Sequence, residues 1–562
     1  MDDFWHLAYL ERGDYIWSTW RIGREAIDQL WYMSKPVFPQ MAWVDQIQYY
    51  FRPVYLLAVE LDRVLWDYWA PGYHMQSQIW HTTAALMSFA LFVKLGLSRG
   101  WAMLAAIAFA VHPVAAEPLG WISARCGLQL VVFILASSYA YLVWRESGKY
   151  LYFFLHILLF IFACGSQEHA VAFPFVLGTF EIMRRLFGTD DDTQKSPVRV
   201  SWLVSFVIAI AFISWRIMDD GGANTWSMSE ANLFSFQRFG PFGVLGYSFL
   251  QYAKLFVLGI PPMSYVAHDA PLDGLNSWPA TIFIVVLLLV WLWQWRSHKY
   301  LFVFIFAFGM LTAILWIPSG GRYLYPSTPA LCGLFVIVLK HVYENKSLVF
   351  KWLAVSAFSL ALTWWVIISF TISWSSSVTG LSIESSMNQI VDEVKKHPKV
   401  TDLYLLYLWP VMVSSPALIP VLAERPNLNI HLLTYSSTLY NPAVKGPIEA
   451  LAMLAYPIDD MWVKPMETTN TRLNSDSLVL KQSPAGFFAG PATFGWNSQQ
   501  LPKPPKGIVR LKHMNVTFGP KTIHGGVKSL MFTIKRPLDD EKNLWMQWQD
   551  GKMQAWNPPP VK

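Results

Sequence analysis

The strongest constraint on this chain is a succession of apolar stretches, each about 15 to 25 residues long, broken by short turns in which lysine and arginine gather. In hydrocarbon a backbone must satisfy its own N–H and C=O groups, so such stretches fold as helices. About ten can be drawn, at 75–97, 101–117, 124–144, 150–164, 169–187, 201–217, 277–296, 300–317, 328–343 and 349–373. With 54% hydrophobic residues and 29 Trp in 562, the balance is far from that of a soluble enzyme. The fold class is therefore an α-helical polytopic membrane protein, with an ordinary globular segment after it.

Charge gives the sidedness. Alternate loops carry Lys94 and Arg99; Arg145 and Lys149; Arg184, Arg185, Lys195 and Arg199; Arg296 and Lys299; and Lys340, Lys346 and Lys351, which makes them cytoplasmic. The opposite loops hold little basic charge beyond Arg125, Arg238, Lys254 and Arg322. Both chain ends then lie outside. Residues 240–262 are apolar enough to cross, but a crossing there would invert every later loop and put Arg322 in the cytoplasm. They are read as a surface or re-entrant segment with Lys254 on its polar side. Residues 52–69 predict a second, amphipathic surface helix, in which Val54, Leu57, Leu61, Val64, Leu65 and Tyr68 recur at helical spacing against Glu60, Asp62, Arg63 and Asp67. An outside N-terminus of about seventy polar residues predicts one more span ahead of Asp2. The net charge of +6 comes with no basic run, so no nucleic-acid partner is expected. Cys126, Cys164 and Cys332 encode neither a disulfide framework nor a CxxC metal site.

Residues 374–562 predict an extracytoplasmic domain. A helix at 383–396, strands at 402–408 and 429–435 and a helix at 416–424 suggest an α/β unit. Short strands at 477–480, 507–511, 516–518, 528–534 and 545–548 suggest a β-rich cap. Asn515-Val516-Thr517 is a glycosylation sequon.

Polar residues that share the outer side are the candidates for chemistry. Asp2 and Asp3 are adjacent acids, either solvated or acting as general base toward a hydroxyl. His74, Gln78 and His81 recur at i, i+4 and i+7; with no third ligand, hydrogen bonding inside the bundle is preferred over a metal site, and a polar cavity lining is the expectation. His112, Glu117, Trp121 and Arg125 surround one outer connection, where Glu117 and Arg125 either pair with each other or face a cavity. Ser166, Gln167, Glu168 and His169 occupy a tight outer turn. Arg322 lies in the hairpin 319–327, between two apolar flanks, where its fork suits a phosphate and where the plainer role is snorkelling to the interface.

These segments, in this order, resemble the GT-C superfamily of polyprenyl-phosphate-sugar-dependent glycosyltransferases. They come nearest to the transmembrane and tetratricopeptide-repeat O-mannosyltransferases and their bacterial relatives, without the repeats. Arg52-Pro53, His74 to His81, His112-Pro113 through Glu117 and Trp121 to Arg125, Ser166 with Glu168, and Arg322-Tyr323-Leu324-Tyr325-Pro326-Ser327 carry the resemblance over about residues 1–345. It implies a sugar transferase, hexosyl- or mannosyltransferase-like, that works with inversion and takes a lipid-linked donor. The catalytic carboxylates implied are Asp2 and Asp3, and the contacts to the donor phosphate are Arg322, Tyr323 and Tyr325. His74, Gln78, His81, His112, Glu117, Arg125, Gln167 and Glu168 would line the cavity. A protein or glycan acceptor, membrane lipid and membership of a larger membrane complex are the implied partners; one acid pair is too few ligands to assert a divalent metal, which is left open. Two departures stand out: Gln167 where the family often has lysine, and Gly127 where it has an acid or amide. A lipid or solute transporter and a catalytically inactive subunit are the competing expectations.

Overall fold

In the computed structural model the described residues are 52–186, 198–219, 301–312, 321–344, 347–406, 419–433, 467–483, 508–510, 514–520, 528–549 and 552–561, with 249, 252, 253, 255–259 and 285 between them. Asp2, Asp3, the expected span at 277–296 and most of 240–262 lie outside these residues. The chain divides into two units, one built on 50–264 and 270–373 and the other on 374–562.

The first unit is helical. Its elements are α1 (Pro53–Trp66), α2 (Ala70–Lys94), α3 (Arg99–Ala110), α4 (Ala116–Gly120), α5 (Arg125–Ser147), α6 (Tyr150–Ser166), α7 (Phe173–Leu186), α8 (Val198–Asp219), α9 (Leu301–Thr312), α10 (Gly321–Leu324) and α11 (Thr328–Tyr343). Among the described residues three helices are long and apolar enough to cross a membrane: Arg125–Ser147, Arg322–Tyr343 and Leu348–Trp374. The expected span at 101–117 is instead broken, with α3 and the segment Pro113–Gly120 meeting at 47°. Pro113 is the cause: it cannot continue the hydrogen-bond ladder, and the helix stops before it.

Small residues and polar fasteners hold this bundle, because lipid tails offer no hydrophobic drive for helices to associate. Ala102, Ala105 and Ala108 on α3 are fully buried. Gly333 admits the Phe92 ring, where an added Cβ would meet it at 2.6 Å. His156 of α6 joins Ser137 of α5 at 2.7 Å and Ser205 of α8 at 3.1 Å.

Helix α1 corrects the sequence expectation at Asp62, which was placed on the polar side but is buried with Tyr55, Leu56 and Val59 against the bundle, while Leu57, Leu61, Val64 and Leu65 are exposed. The carboxylate goes inside because Arg125 waits there, as described below. The helix has two apolar stripes, and tertiary charge pairing chooses between them.

The final long helix, α12 (Leu348–Lys396), runs 49 residues without a break. The sequence suggested an end at 373 and a separate helix at 383–396. Its second half belongs to the other unit, which contains β1 (Asp402–Leu406), α13 (Ile419–Leu422), β2 (Asn429–Leu432), β3 (Glu467–Arg472), β4 (Ser477–Ser483), β5 (Ile508–Arg510), β6 (Met514–Phe518), β7 (Ser529–Ile534), β8 (Asn543–Gln549) and β9 (Lys552–Ala555). One sheet has the order β2-β1-β8-β9, with β1 parallel to both β2 and β8. The other is antiparallel, in the order β3-β4-β7-β6-β5. Strand β8, expected in the β-rich cap, thus joins the α/β unit. Strand β3 (ETTNTR) was missed because it carries no apolar alternation. Asn515 of the sequon sits mid-strand in β6, opposite Thr533.

The first sheet is pinned at one end. Burial pushes the Asp402 carboxyl up, but hydrogen bonds from His431 and Thr401 and the charge of Arg536 outweigh it and hold it at about 2. Two positions along the strand, Tyr404 stacks on His431 at 4.6 Å and on Trp545 at 4.3 Å, in register across three strands.

Candidate active site

Local sequence brings the charged groups together at one end of the helical unit. Helix α6 stops at Ser166, Gln167 is extended, and a 3-10 turn over Glu168–Ala172 follows, so Glu168 projects from a tight corner. Gly165 lets the start of α1 approach α6: a Cβ there would come within 2.8 Å of the Val54 side chain. Arg52, just before Pro53, thereby reaches Glu168. Its Nη2 donates at 2.8 Å and its Nε at 3.1 Å, while Nη1 faces the Cys126 sulfur at 3.4 Å.

A second ion pair lies beside the first. The short α10 presents Arg322, whose backbone N–H donates to Glu117 Oε2 at 2.9 Å and whose guanidinium stands 3.7 Å from Oε1. The guanidinium lies over the rings of Trp121 at 4.3 Å and Tyr323 at 4.9 Å, and its Nη2 donates to the Tyr323 hydroxyl at 3.2 Å. Cys126 is within electrostatic range of Arg52, Glu168 and Arg322. Next to it, the bare face of Gly127 looks onto Gln167 Oε1 and the backbone carbonyl of Arg322. The His169 ring meets Tyr323 edge-on at 5.9 Å.

Of the predicted site residues, Glu117, Gln167, Glu168, Arg322 and Tyr323 gather here. His74 lies alongside, its Nδ1 donating to the Leu119 carbonyl at 3.2 Å. The others do not line this place, and each has a physical reason. Arg125 is fully buried and bonded to Asp62, to Ser77 Oγ at 3.0 Å and to the Tyr73 carbonyl at 2.6 Å, so it does not pair with Glu117. His81 donates from Nε2 to the Ala110 carbonyl at 3.0 Å and accepts the Tyr325 hydroxyl at 2.7 Å, which commits both of its nitrogens and also removes Tyr325 from the phosphate contacts. Tyr325 is fully buried. His112 donates from Nε2 to the Phe256 carbonyl at 2.9 Å and caps Val114 N–H with Nδ1 at 3.2 Å. Gln78 is exposed with Met75 and Ile79, because it sits at their edge of the arc it shares with His74 and His81, while the bundle covers the other edge, where Tyr73, Ser77 and His81 are buried.

Sequence reasoning missed Asp62 as the partner of Arg125 and Arg52 as the partner of Glu168. A buried arginine demands an anion, but nothing in one sequence says which of several acids, 63 or 116 residues away, supplies it. Chemically the site offers guanidinium, phenol and indole donors for an anion, with carboxylates balancing them. Trp121 Nε1 and Gln167 Oε1 are buried and have no hydrogen-bond partner among the described residues. Among the same residues no three His, Cys, Asp or Glu side chains converge to hold a metal.

No protein-family model matches the chain, and no curated protein does. Solved structures do resemble it. The oligosaccharyltransferase of Archaeoglobus fulgidus, tethered to an acceptor peptide, shares 12% identity at a TM-score of 0.39, over 73% of this chain and 61% of that one. The same archaeal enzyme AglB, in complex with an inhibitory peptide and a dolichol-phosphate, shares 14% at 0.38, over 76% and 64%. ArnT from Cupriavidus metallidurans, bound to undecaprenyl phosphate, shares 15% at 0.34, over 78% and 84%. The chain thus spans less than two thirds of the length of the oligosaccharyltransferases it matches.

Proposed function

We propose that the chain is an integral membrane glycosyltransferase that moves a sugar from a polyprenyl-phosphate donor to an extracytoplasmic hydroxyl, with inversion at the anomeric carbon. The observation that carries this is Arg322: a guanidinium held over two aromatic rings, with a 3.7 Å ion pair to Glu117 that a phosphate can displace. In the reaction the acceptor oxygen bonds to the anomeric carbon as its bond to the phosphate oxygen breaks. The electron pair leaves on the phosphate, where Arg322 stabilises it, and Tyr323 adds a phenol donor. The acceptor proton passes to Asp3 or Asp2, both outside the described residues, as general base. The acceptor is a protein or glycan, and the setting is the bacterial inner membrane.

The test is sugar transfer by purified full-length protein from a panel of polyprenyl-phosphate-hexoses. Transfer that is lost in Arg322→Ala and in Asp2→Asn with Asp3→Asn supports the assignment. Wild-type protein that binds polyprenyl phosphate but transfers nothing is the inactive subunit that Gln167 and Gly127 would suit. Movement of lipid or solute across vesicles without transfer makes it a transporter.

A further inference from the structure

Gln167 is 4% exposed, and its side-chain carbonyl has no hydrogen-bond partner among the described residues. A buried carbonyl left unpaired is costly, so the site is complete only when a donor arrives from elsewhere. The place it would arrive is marked by Gly127. A Cβ built there would stand 3.5 Å from Gln167 Oε1 and 3.9 Å from the backbone carbonyl of Arg322. Two carbonyl oxygens therefore border the face that glycine leaves bare. Oxygens of this kind accept hydrogen bonds and repel the oxygens of a phosphate. Arg52 does not reverse that preference, because it is bonded to Glu168 at 2.8 Å.

We propose that Gln167 and Gly127 form a neutral, acceptor-lined notch that takes a hydroxyl of the sugar carried by the lipid-linked donor. Gln167 is then the residue that sets sugar preference, while the phosphate is left to Arg322. A lysine in place of Gln167 would donate to an anion; an amide carbonyl accepts from an O–H. The notch rests on the lipid-linked donor proposed above and deepens it by assigning the sugar its own contact.

Equilibrium binding to full-length protein in nanodiscs separates the two ideas. The probes are polyprenyl phosphate, polyprenyl-phosphate-mannose, -glucose and -galactose, and the deoxy analogues of each. Wild type is expected to bind one hexose-bearing lipid roughly tenfold or more tightly than the analogue lacking one hydroxyl. Gln167→Leu should shrink that preference to within about threefold and leave bare polyprenyl phosphate within about twofold of wild type. Gly127→Ala, whose methyl fits at ordinary contact distance, should do the same by filling the notch. A preference that survives both substitutions, or a wild type that ignores every missing hydroxyl while still binding the bare lipid, overturns the notch alone. Loss of bare-lipid binding in Gln167→Leu as large as in Arg322→Ala would make Gln167 a phosphate ligand, which also overturns it. Wild type that binds none of the lipids removes the donor assignment and the notch together.

Discussion

Two arginines of the helical unit make opposite bargains with their surroundings. Arg125 is fully buried, and its fork is taken up by Asp62, Ser77 and the Tyr73 carbonyl. Arg322 keeps 21% of its side chain exposed, rests on two aromatic rings and meets its carboxylate at 3.7 Å. A buried charge has to be saturated by the protein itself, since nothing else can reach it. A charge at a partly exposed, polarisable surface can exchange one anion for another at small cost. The first arginine fastens α1 and α2 to α5; the second is the one proposed to meet the donor phosphate.

The largest effect should come from breaking the saturated pair. Asp62→Ala leaves Arg125 buried and uncompensated, and is expected to destabilise the folded protein by roughly 3–5 kcal/mol. Thermal unfolding in detergent measures it, and a near-neutral result would erase the contrast between the two arginines. Next is Arg322→Ala: sugar transfer should fall by about 10²–10³-fold, with an unfolding temperature close to that of wild type. A fall in stability comparable to that of Asp62→Ala would make Arg322 structural as well.

Asp402 extends the comparison to the other unit, as a buried carboxylate that, like Asp62, is held by a cation. Its pKa is held at about 2, below the unfolded value of 3.8, by His431, Thr401 and Arg536 acting against burial. The stabilisation, about 2 kcal/mol, is therefore full above roughly pH 4 and lost as pH falls toward about 2. Hydrogen-exchange protection of β1 followed from pH 5 to pH 2 should drop across that window in wild type and show no such step in Asp402→Asn. The smallest effect sharpens the other side. Glu117→Gln removes the charge that competes for Arg322, and affinity for bare polyprenyl phosphate should rise about two- to fivefold, in keeping with a partly exposed pair. An unchanged affinity would mean that Glu117 does not compete with the anion.

Some of this was legible from residue types alone. A glycine-bearing turn with one arginine between two apolar segments already implied an anionic partner for Arg322, and the order of Glu117, Trp121, Glu168 and Arg322 along alternating spans placed them at one end. The helix at 52–69 was legible as amphipathic, but its inward face was not: two apolar stripes compete, and a carboxylate normally reads as solvent-facing. The histidines misled for a related reason. His81 and His112 sit where polar lining was expected, yet each spends both ring nitrogens on hydrogen bonds inside the bundle.

What the amino-acid order determined by itself is local: where helices can span, where proline and glycine stop them, and on which side charge collects. These follow from hydrocarbon solvation and backbone geometry over a few residues. Which acid meets which arginine was decided only in three dimensions. Arg52 meets Glu168 across 116 positions and Arg322 meets Glu117 across 205, and partners so far apart are chosen by helix packing. The same packing set Gln167 against the bare face of Gly127, 40 residues earlier in the chain, and so made a neighbourhood out of two departures that looked unrelated in one dimension.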